Sequence, residues 1–429
     1  MSTARLDSEL LLSALDALPK DRLDSVRRAA AGRFAERNFP DIGQEDWKYT
    51  SLADAVDISN EWLGSVAAGN LPGEVPNTGF DWHSLQSRLE AHWLVIRHGV
   101  CTSDLDSLAD QSGLQFERLV ASDLEQGSGD DALSLFNAAL LRDGLRISVP
   151  DKRQIEKPLV ILFLDDPSNA VSQTRLLINA GAESRLQVIE LNLSERPGRQ
   201  FTNSVVQACL ERAASLSYLS IQDRDAAHTG VSRFEATLEA DAKLAHNSFD
   251  IGGALTRNDT IADIRGPGVN VAMHGLYLAS GTQHIDNHTA ILHGVGPAIS
   301  DEEYRGIVAG KARCVFNGKV VVAEGADGTD SSQTNHNLLL SDRAEIDTKP
   351  ELEIYADDVK CAHGATVGQL DESAIFYLRS RGLERQQARQ VLTRAFAAES
   401  LSRLAVAAAH DYLAELLDER LETLVGERQ

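Results

Sequence analysis

Apolar and polar residues alternate along this chain with three successive rhythms. From Leu6 to Ala17 and from Arg22 to Arg37 the apolar positions recur at helical spacing, with Pro19 between the two segments. Pro40 to Leu52 is polar with two aromatics, Trp47 and Tyr49. Up to residue 150 the pattern stays mixed: His92 to Gly99 predicts a strand, and Asp131 to Arg142 predicts a helix ending at Gly144.

From 151 to 370 the period shortens to two. Val160 to Phe163, Arg185 to Leu191, Ser215 to Ile221 and Lys319 to Val322 read as strands. A phrase of small and charged residues recurs ahead of such strands. It stands at Gly181–Leu186, Arg212–Leu216, Ala240–Leu244, Arg265–Val269, Gly310–Cys314 and Asp342–Ile346. Neighbouring copies lie on the order of 30 residues apart, with one wider gap, as in solenoids. Short strands, many glycines and a drifting period predict a parallel β-helix, in which each coil buries its apolar side only by stacking. The alternative is a β-sandwich with coincidental similarity between strands.

After Leu370 the helical rhythm returns. Asp371 is placed as an N-cap, Glu372 lies in the first turn, and Gly382 is placed as the C′ stop. Two further amphipathic helices follow, about Glu384 to Leu404 and Ala408 to Val425, with Val391, Leu392, Ala395 and Phe396 as a buried stripe. These helices either cap the solenoid or dock another chain. The predicted organisation is an N-terminal helical and mixed domain (1–150), a mainly β core (151–370) and a C-terminal helical domain (371–429).

Composition narrows the function. The 429 residues carry a formal net charge of −23, which argues against nucleic acid and against anionic lipid as partners. The four cysteines, Cys101, Cys209, Cys314 and Cys361, are far apart and form no C-x-x-C, the pattern of reduced thiols in a cytoplasmic protein. Leu10–Leu12 is crowded by Asp7, Glu9 and Asp16, unlike a signal peptide. The longest strongly apolar run, Leu159 to Leu164, is too short to cross a bilayer. A cytoplasmic protein with no membrane contact is expected.

The candidate chemistry centres on Cys361 and His363. If that segment is extended, side chains at i and i+2 share a face, and sulfur and imidazole nitrogen stand side by side as ligands for a thiophilic transition metal. The plainer reading is a strand with a half-buried cysteine and a hydrogen-bonded histidine. Other motifs are weaker. Gly310-Lys311 and Gly318-Lys319 lack the spacing and the following Ser/Thr of a phosphate loop, so ATP hydrolysis by this chain alone is not expected. His284, His288 and His293 would bind zinc only from a helix, whereas their surroundings read as strand and turn. Asp286 and Asp301 could be paired carboxylates of a polysaccharide-cleaving β-helix, but their spacing is not diagnostic.

Several longer stretches carry a family resemblance. They are His284–Thr289, Tyr304-Arg-Gly306, Cys314–Gly318, Gln333–Leu340, Ile346–Leu370 and Phe376–Gly382, with a thinner match at Trp47-Lys-Tyr-Thr50. The C-terminal half resembles the SufB/SufD family, the non-ATPase subunits of the SUF iron–sulfur cluster assembly complex. SufB-type chains look like they carry C-D-S where Asn335-His336-Asn337 stands here, and H-E-A-T where His363-Gly-Ala-Thr366 stands. Both departures favour SufD and leave the SufB-type sulfur-accepting cysteine without a counterpart.

The resemblance implies a right-handed parallel β-helix between helical terminal domains. It implies a scaffold rather than an enzyme, paired with a SufB-like paralogue and with two copies of a SufC-like ABC-type ATPase. Isolated chains could instead pair as a homodimer. No cofactor is expected to be permanently bound; a transient Fe–S cluster would form at the interface with the SufB-like chain. His363 matches the family's interface histidine, with Cys361 as the thiol beside it, unless His363 only hydrogen-bonds the partner's backbone. The ATPase would grip the C-terminal domain around Phe376, Tyr377, Arg379, Arg381 and Gly382. The competing readings are a SufB-like scaffold that accepts sulfur itself and, remotely, a β-helix carbohydrate-active enzyme.

Overall fold

The computed structural model describes residues 5–18, 20–70, 80, 82–127 and 131–426; Pro19 lies outside them. From Gly144 onward successive strands alternate between two sheets, and each pairs in parallel with the strand two further along the chain. One sheet has ten strands, from His92–Arg97 and Leu159–Asp165 to Asp330–Leu339 and Lys360–Gly368. The other has nine, from Gln115–Arg118 and Gly144–Val149 to Arg313–Val322 and Glu345–Ile354. The result is a parallel β-solenoid of about 8 turns, as the repeating phrases predict. Four strands of these sheets lie upstream of residue 151, and two of them, His92–Arg97 and Gly144–Val149, already pair in parallel with the solenoid.

The recurring phrases are its corners. Those at Gly181, Arg212, Ala240 and Arg265 turn the chain from the nine-stranded sheet into the ten-stranded one. Those at Gly310 and Asp342 make the opposite turn, so the wider gap is a change of corner. At the first corner Glu183, Ala213 and Asp241 adopt left-handed backbone with φ of 59°, 60° and 62°. Each amide donates across to the next coil: Glu183 to the Arg212 carbonyl at 2.9 Å, Ala213 to Ala240 at 2.9 Å, Asp241 to Pro267 at 2.8 Å. These bonds offset the roughly 1–2 kcal/mol that left-handed backbone costs an L-residue. One coil on, Gly268 takes the same role at φ 76° without that cost.

Three cores organise the molecule. The lumen between the sheets is packed by inward side chains such as Leu186, Leu216, Phe234, Val271, Ile285 and Phe316. The outer face of the nine-stranded sheet, at Val171, Phe201 and Val231, is covered by helices Ser8–Ala17, Asp24–Arg37, Ala53–Ala67 and Ala132–Leu140. The outer face of the ten-stranded sheet, at Leu191, Ile221, Phe249, Leu276 and Ile307, is covered by Arg385–Ser402 and His410–Gly426. Strands buried on both faces read as continuous apolar runs, which explains Leu159 to Leu164.

The C-terminal helices depart from the predicted stripe. In Arg385–Ser402 the buried residues are Ala388, Thr393, Ala397 and Ser400. Ala395 is exposed, Val391 is 44% exposed, and Leu392 and Phe396 are half-buried. Small side chains let the helix axis approach the sheet, so Val391 is turned outward and Phe396 packs only at the margin of the core. Gly382, at φ 97°, does end the helix Glu372–Ser380, and Asp371 accepts its first-turn amide from Ser373 at 2.9 Å.

Candidate functional site at the open end of the solenoid

The two ends of the solenoid differ. At the N-terminal end both sheets finish in antiparallel pairs, His92–Arg97 with Val100–Cys101 and Gln115–Arg118 with Gly144–Val149. Leu108 of the helix Leu105–Ser112 joins Cys101 and Leu114 in closing the lumen there. At the C-terminal end Glu345–Ile354 and Lys360–Gly368 are edge strands, each paired on one side only among the described residues. Ile354, Tyr355 and Val367 are 42%, 64% and 48% exposed there.

Cys361 and His363 lie on this last strand. Its register sets Cys361 opposite Ser331, His363 opposite Gln333 and Ala365 opposite Asn335. Ser331, Gln333 and Asn335 are all buried in the lumen, and parallel partners present their side chains to the same face. Cys361, His363 and Ala365 therefore occupy lumen-facing positions of a rung with no further coil above it. Cys361 is half-buried and packs against the lumen core, while His363 is exposed. Burial, with Asp330 nearby, raises the Cys361 thiol above its ordinary pKa. No group of three or more His, Cys, Asp or Glu side chains is disposed to hold a metal ion among the described residues. The strand thus offers a thiol and an imidazole on one face.

Below this rung the lumen turns polar. One inward column runs Leu159, Val188, Tyr218, His246, Met273, Glu302, Gln333, His363 through the register of successive coils. Gln333 donates from Nε2 to Glu302 Oε2 at 2.7 Å. Burial pushes the Glu302 carboxyl up to about 7, although the bond from Gln333 opposes the shift. In the neighbouring columns Asn335 donates to the Tyr277 hydroxyl and the Tyr304 carbonyl, both at 3.1 Å. Thr348 donates to Asn335 at 2.8 Å, and Asn337 donates to the Thr366 carbonyl at 3.3 Å. This network ties the last two rungs together. Glu302 went unnoticed in the sequence because Ile299–Val308 is polar on both faces and shows no alternation.

Glycines in the quoted motifs make room for this network. A Cβ on Gly306 would lie 2.2 Å from the Tyr277 ring, and one on Gly318 would lie 2.5 Å from Gln333 Nε2. Gly318-Lys319 is therefore a packing device, and Gly310, at φ 66°, turns a corner.

The C-terminal candidates gather on the helix Glu372–Ser380 and just beyond it. Phe376 is 72% and Tyr377 57% exposed, while Ile375 alone in this helix is buried. The Arg381 guanidinium lies 5.3 Å from the Tyr377 ring centroid, and Arg379 and Gly382 are exposed beside it. Two aromatic rings and two guanidinium groups thus share one solvent-facing patch.

The remaining candidates have structural partners. Asp286 is buried, ion-paired to Arg257 at 2.6 Å and 3.1 Å from His288 Nε2. Burial alone would raise its carboxyl, but Arg257 and His288 hold it well below the usual carboxylate range. Thr50 donates to Asp286 and meets His284 at 2.8 Å. Arg257 also stacks 4.5 Å from Trp47, and Arg313 5.2 Å from Tyr49. The Trp47-Lys-Tyr-Thr50 segment is thus fastened to the nine-stranded sheet by His284, Asp286 and Arg257. His293 faces the lumen and meets Ser300 at 2.9 Å, so the three histidines share no site. Asp301 is on the other sheet, bound to His274 at 3.0 Å and Arg403 at 2.9 Å.

The fold and this open end define a class: a parallel β-solenoid with helical ends, closed by antiparallel pairs at one end and left with two edge strands at the other among the described residues. Residues 163–396 match the family model described as SUF system FeS cluster assembly, SufBD core domain. The chain is 32% identical over 371 residues to the iron–sulfur cluster assembly protein SufD of Escherichia coli, covering 84% of each chain. It is 29% identical over 434 residues to a SufBD family protein of Synechocystis, covering 94% of this chain and 93% of that one. It is also 27% identical over 413 residues to Protein ABCI7, chloroplastic, of Arabidopsis thaliana, covering 93% of this chain and 85% of that one. The chain belongs to the SufB/SufD family of the SUF iron–sulfur cluster assembly system. No helix among the described residues is long and apolar enough to cross a membrane.

Proposed function

We propose that this chain is the SufD-type scaffold subunit of a cytoplasmic SUF complex, without enzymatic activity of its own. Its open solenoid end docks a SufB-like paralogue, and its C-terminal helices dock a SufC-like ABC-type ATPase. The nascent Fe–S cluster is cargo built at the first of these interfaces, with His363 as a donor from this chain and Cys361 as the lesser one. The reading is carried by one observation: the capped end is buried by its own chain, whereas the open end presents His363 and Cys361 on an unpaired edge. An imidazole and a thiol from one subunit, completed by donors from another, make a site that can be assembled and pulled apart. Asn335 supports SufD over SufB: it is fully buried and consumed by Tyr277, Tyr304 and Thr348, with no thiol in its place. A carbohydrate-active enzyme is disfavoured, because Asp286 and Asp301 lie on different sheets, each bound to cations.

The test is co-expression of the chain with a SufB-like and a SufC-like partner. His363→Ala is expected to leave the three-component complex assembled, since one exposed side chain is a small part of such an interface. It is expected to remove most iron, sulfide and visible absorption from that complex, and Cys361→Ala to remove less. Full cluster loading with His363→Ala would exclude the histidine from the site. Failure of the complex to assemble would make His363 a structural contact.

A further inference from the structure

The rung beneath His363 contains a polar atom with no evident use. Gln333 is fully buried, and its carboxamide is oriented by the 2.7 Å bond from Nε2 to Glu302. Its Oε1 has no hydrogen-bond partner among the described residues. Leaving a buried carbonyl oxygen unpaired costs roughly 1–3 kcal/mol. The space for this carboxamide is built in from the opposite sheet, because any side chain at Gly318 would meet Gln333 Nε2 at 2.5 Å. Glu302 Oε1, one rung lower, is unpaired as well, but the Gln333 oxygen is the one on the rung directly below His363 in register.

The neighbouring columns are not arranged this way. Below Cys361, the Ser331 hydroxyl is engaged by Ser300 at 2.8 Å. Below Ala365, Asn335 is bound through both its nitrogen and its oxygen. The rung spacing in a sheet is about 4.8 Å, which a tilted imidazole spans. A metal-ligating histidine is neutral, and its second ring nitrogen carries a hydrogen that needs an acceptor.

Resting on the reading that His363 ligates the nascent cluster, we propose that Gln333 is its positioning residue. When the partner closes the open end, Gln333 Oε1 accepts the hydrogen on one ring nitrogen of His363 and leaves the other nitrogen for iron. The bond from Gln333 Nε2 to Glu302 occupies the amide nitrogen and leaves the oxygen for the histidine. Glu302 and Gln333 touch no iron; they act through His363.

The experiment uses the co-expressed three-component complex. Gln333→Leu keeps the volume and deletes the acceptor. It is expected to leave assembly intact, to shift the visible absorption of the cluster, and to speed iron loss to a ferrous chelator roughly tenfold, the scale of outer-shell histidine partners. Gly318→Ala, which displaces the carboxamide, should reproduce the effect. The exchanged pair Glu302→Gln with Gln333→Glu keeps a donor at 302 and an acceptor at 333, and should restore wild-type retention. Wild-type retention and spectrum in Gln333→Leu, with loading lost in His363→Ala, would overturn the positioning role and leave the His363 reading standing. Full loading in His363→Ala would instead overturn the reading beneath it. Loss of loading in Gln333→Leu that the exchanged pair does not restore, with a lowered melting temperature in both, would reduce Gln333 to a packing residue.

Discussion

Burial disfavours the charged form of single titratable residues in the lumen. His246 lies 5.6 Å from Tyr218 and 4.6 Å from Phe234, ring to ring, and burial pushes its imidazole down to about 3. Burial likewise takes His293 down to about 4 and Asp250 up to about 6. These shifts act on stability with opposite signs. A histidine whose folded value is depressed contributes stability that is present above its unfolded value and lost as pH falls toward the folded one. A carboxyl whose folded value is raised contributes stability present below its unfolded value and lost as pH rises through the folded one. Glu302, raised from 4.5 to about 7, belongs to the second kind. Relative to Glu302→Gln, the wild-type chain should lose on the order of 3 kcal/mol between pH 4.5 and pH 8. Urea denaturation of both at several pH values measures this. Parallel stability profiles would mean that Glu302 is not a buried, protonated acid.

Elements connect sites that the sequence leaves apart. Ile299–Val308 turns Glu302 and Tyr304 inward toward the last rungs and Asp301, Glu303 and Arg305 outward. Outside, Arg403 grips Asp301 at 2.9 Å and Glu303 at 2.8 Å, and Arg305 lies 5.1 Å from the Phe396 ring. One strand thus touches both the C-terminal helices and the rungs beneath His363. Helices Arg385–Ser402 and His410–Gly426 cover the ten-stranded sheet through Ala397, Tyr412, Leu417 and Leu421. Deleting everything after Leu370 would therefore expose core and confuse unfolding with lost docking. Substitutions on Glu372–Ser380 avoid this, because Phe376 and Tyr377 project into solvent. Phe376→Ser with Tyr377→Ser should leave the melting temperature within a few degrees of wild type. It should weaken co-purification of the SufC-like ATPase by tenfold or more, as expected for aromatic anchors. Undiminished ATPase recovery would move the docking surface elsewhere.

At the scale of the whole molecule the asymmetry of the ends decides what can assemble. Parallel stacking propagates until something stops it. Antiparallel pairs and a helix stop it at one end, and at the other it stops with two exposed edges. A second chain of similar cross-section could continue both sheets, and under the proposed function the same edge would take a SufB-like paralogue or a second copy of this chain. Ile354→Lys with Val367→Lys places charge on the exposed rung without touching the buried coils. The expected result by light scattering and co-purification is a folded monomer that no longer pairs with itself or with the SufB-like chain. Pairing at wild-type strength would show that the open end is not the interface.

The sequence by itself pointed to the solenoid rather than a sandwich, because stacked coils place small residues at recurring corners, and such residues are visible at six of them. It also determined the helix boundaries at Asp371 and Gly382, where capping depends on one residue's chemistry, and it brought Cys361 and His363 onto one face through the period of two. Tertiary structure alone decided which face. Whether His363 looks into the lumen or out to solvent depends on its register with Gln333, set by contacts about thirty residues away. The partners of His284 and Asp286 were hidden for the same reason, since Thr50 reaches both from more than two hundred residues upstream, and Trp47 stacks on the Arg257 that pairs with Asp286. The buried stripe of Arg385–Ser402 was misread because the sheet selects small side chains for close approach, a demand that helical periodicity does not contain. Glu302 and Gly318 acquire their meaning only through Gln333, which packs between two sheets that the linear chain keeps apart.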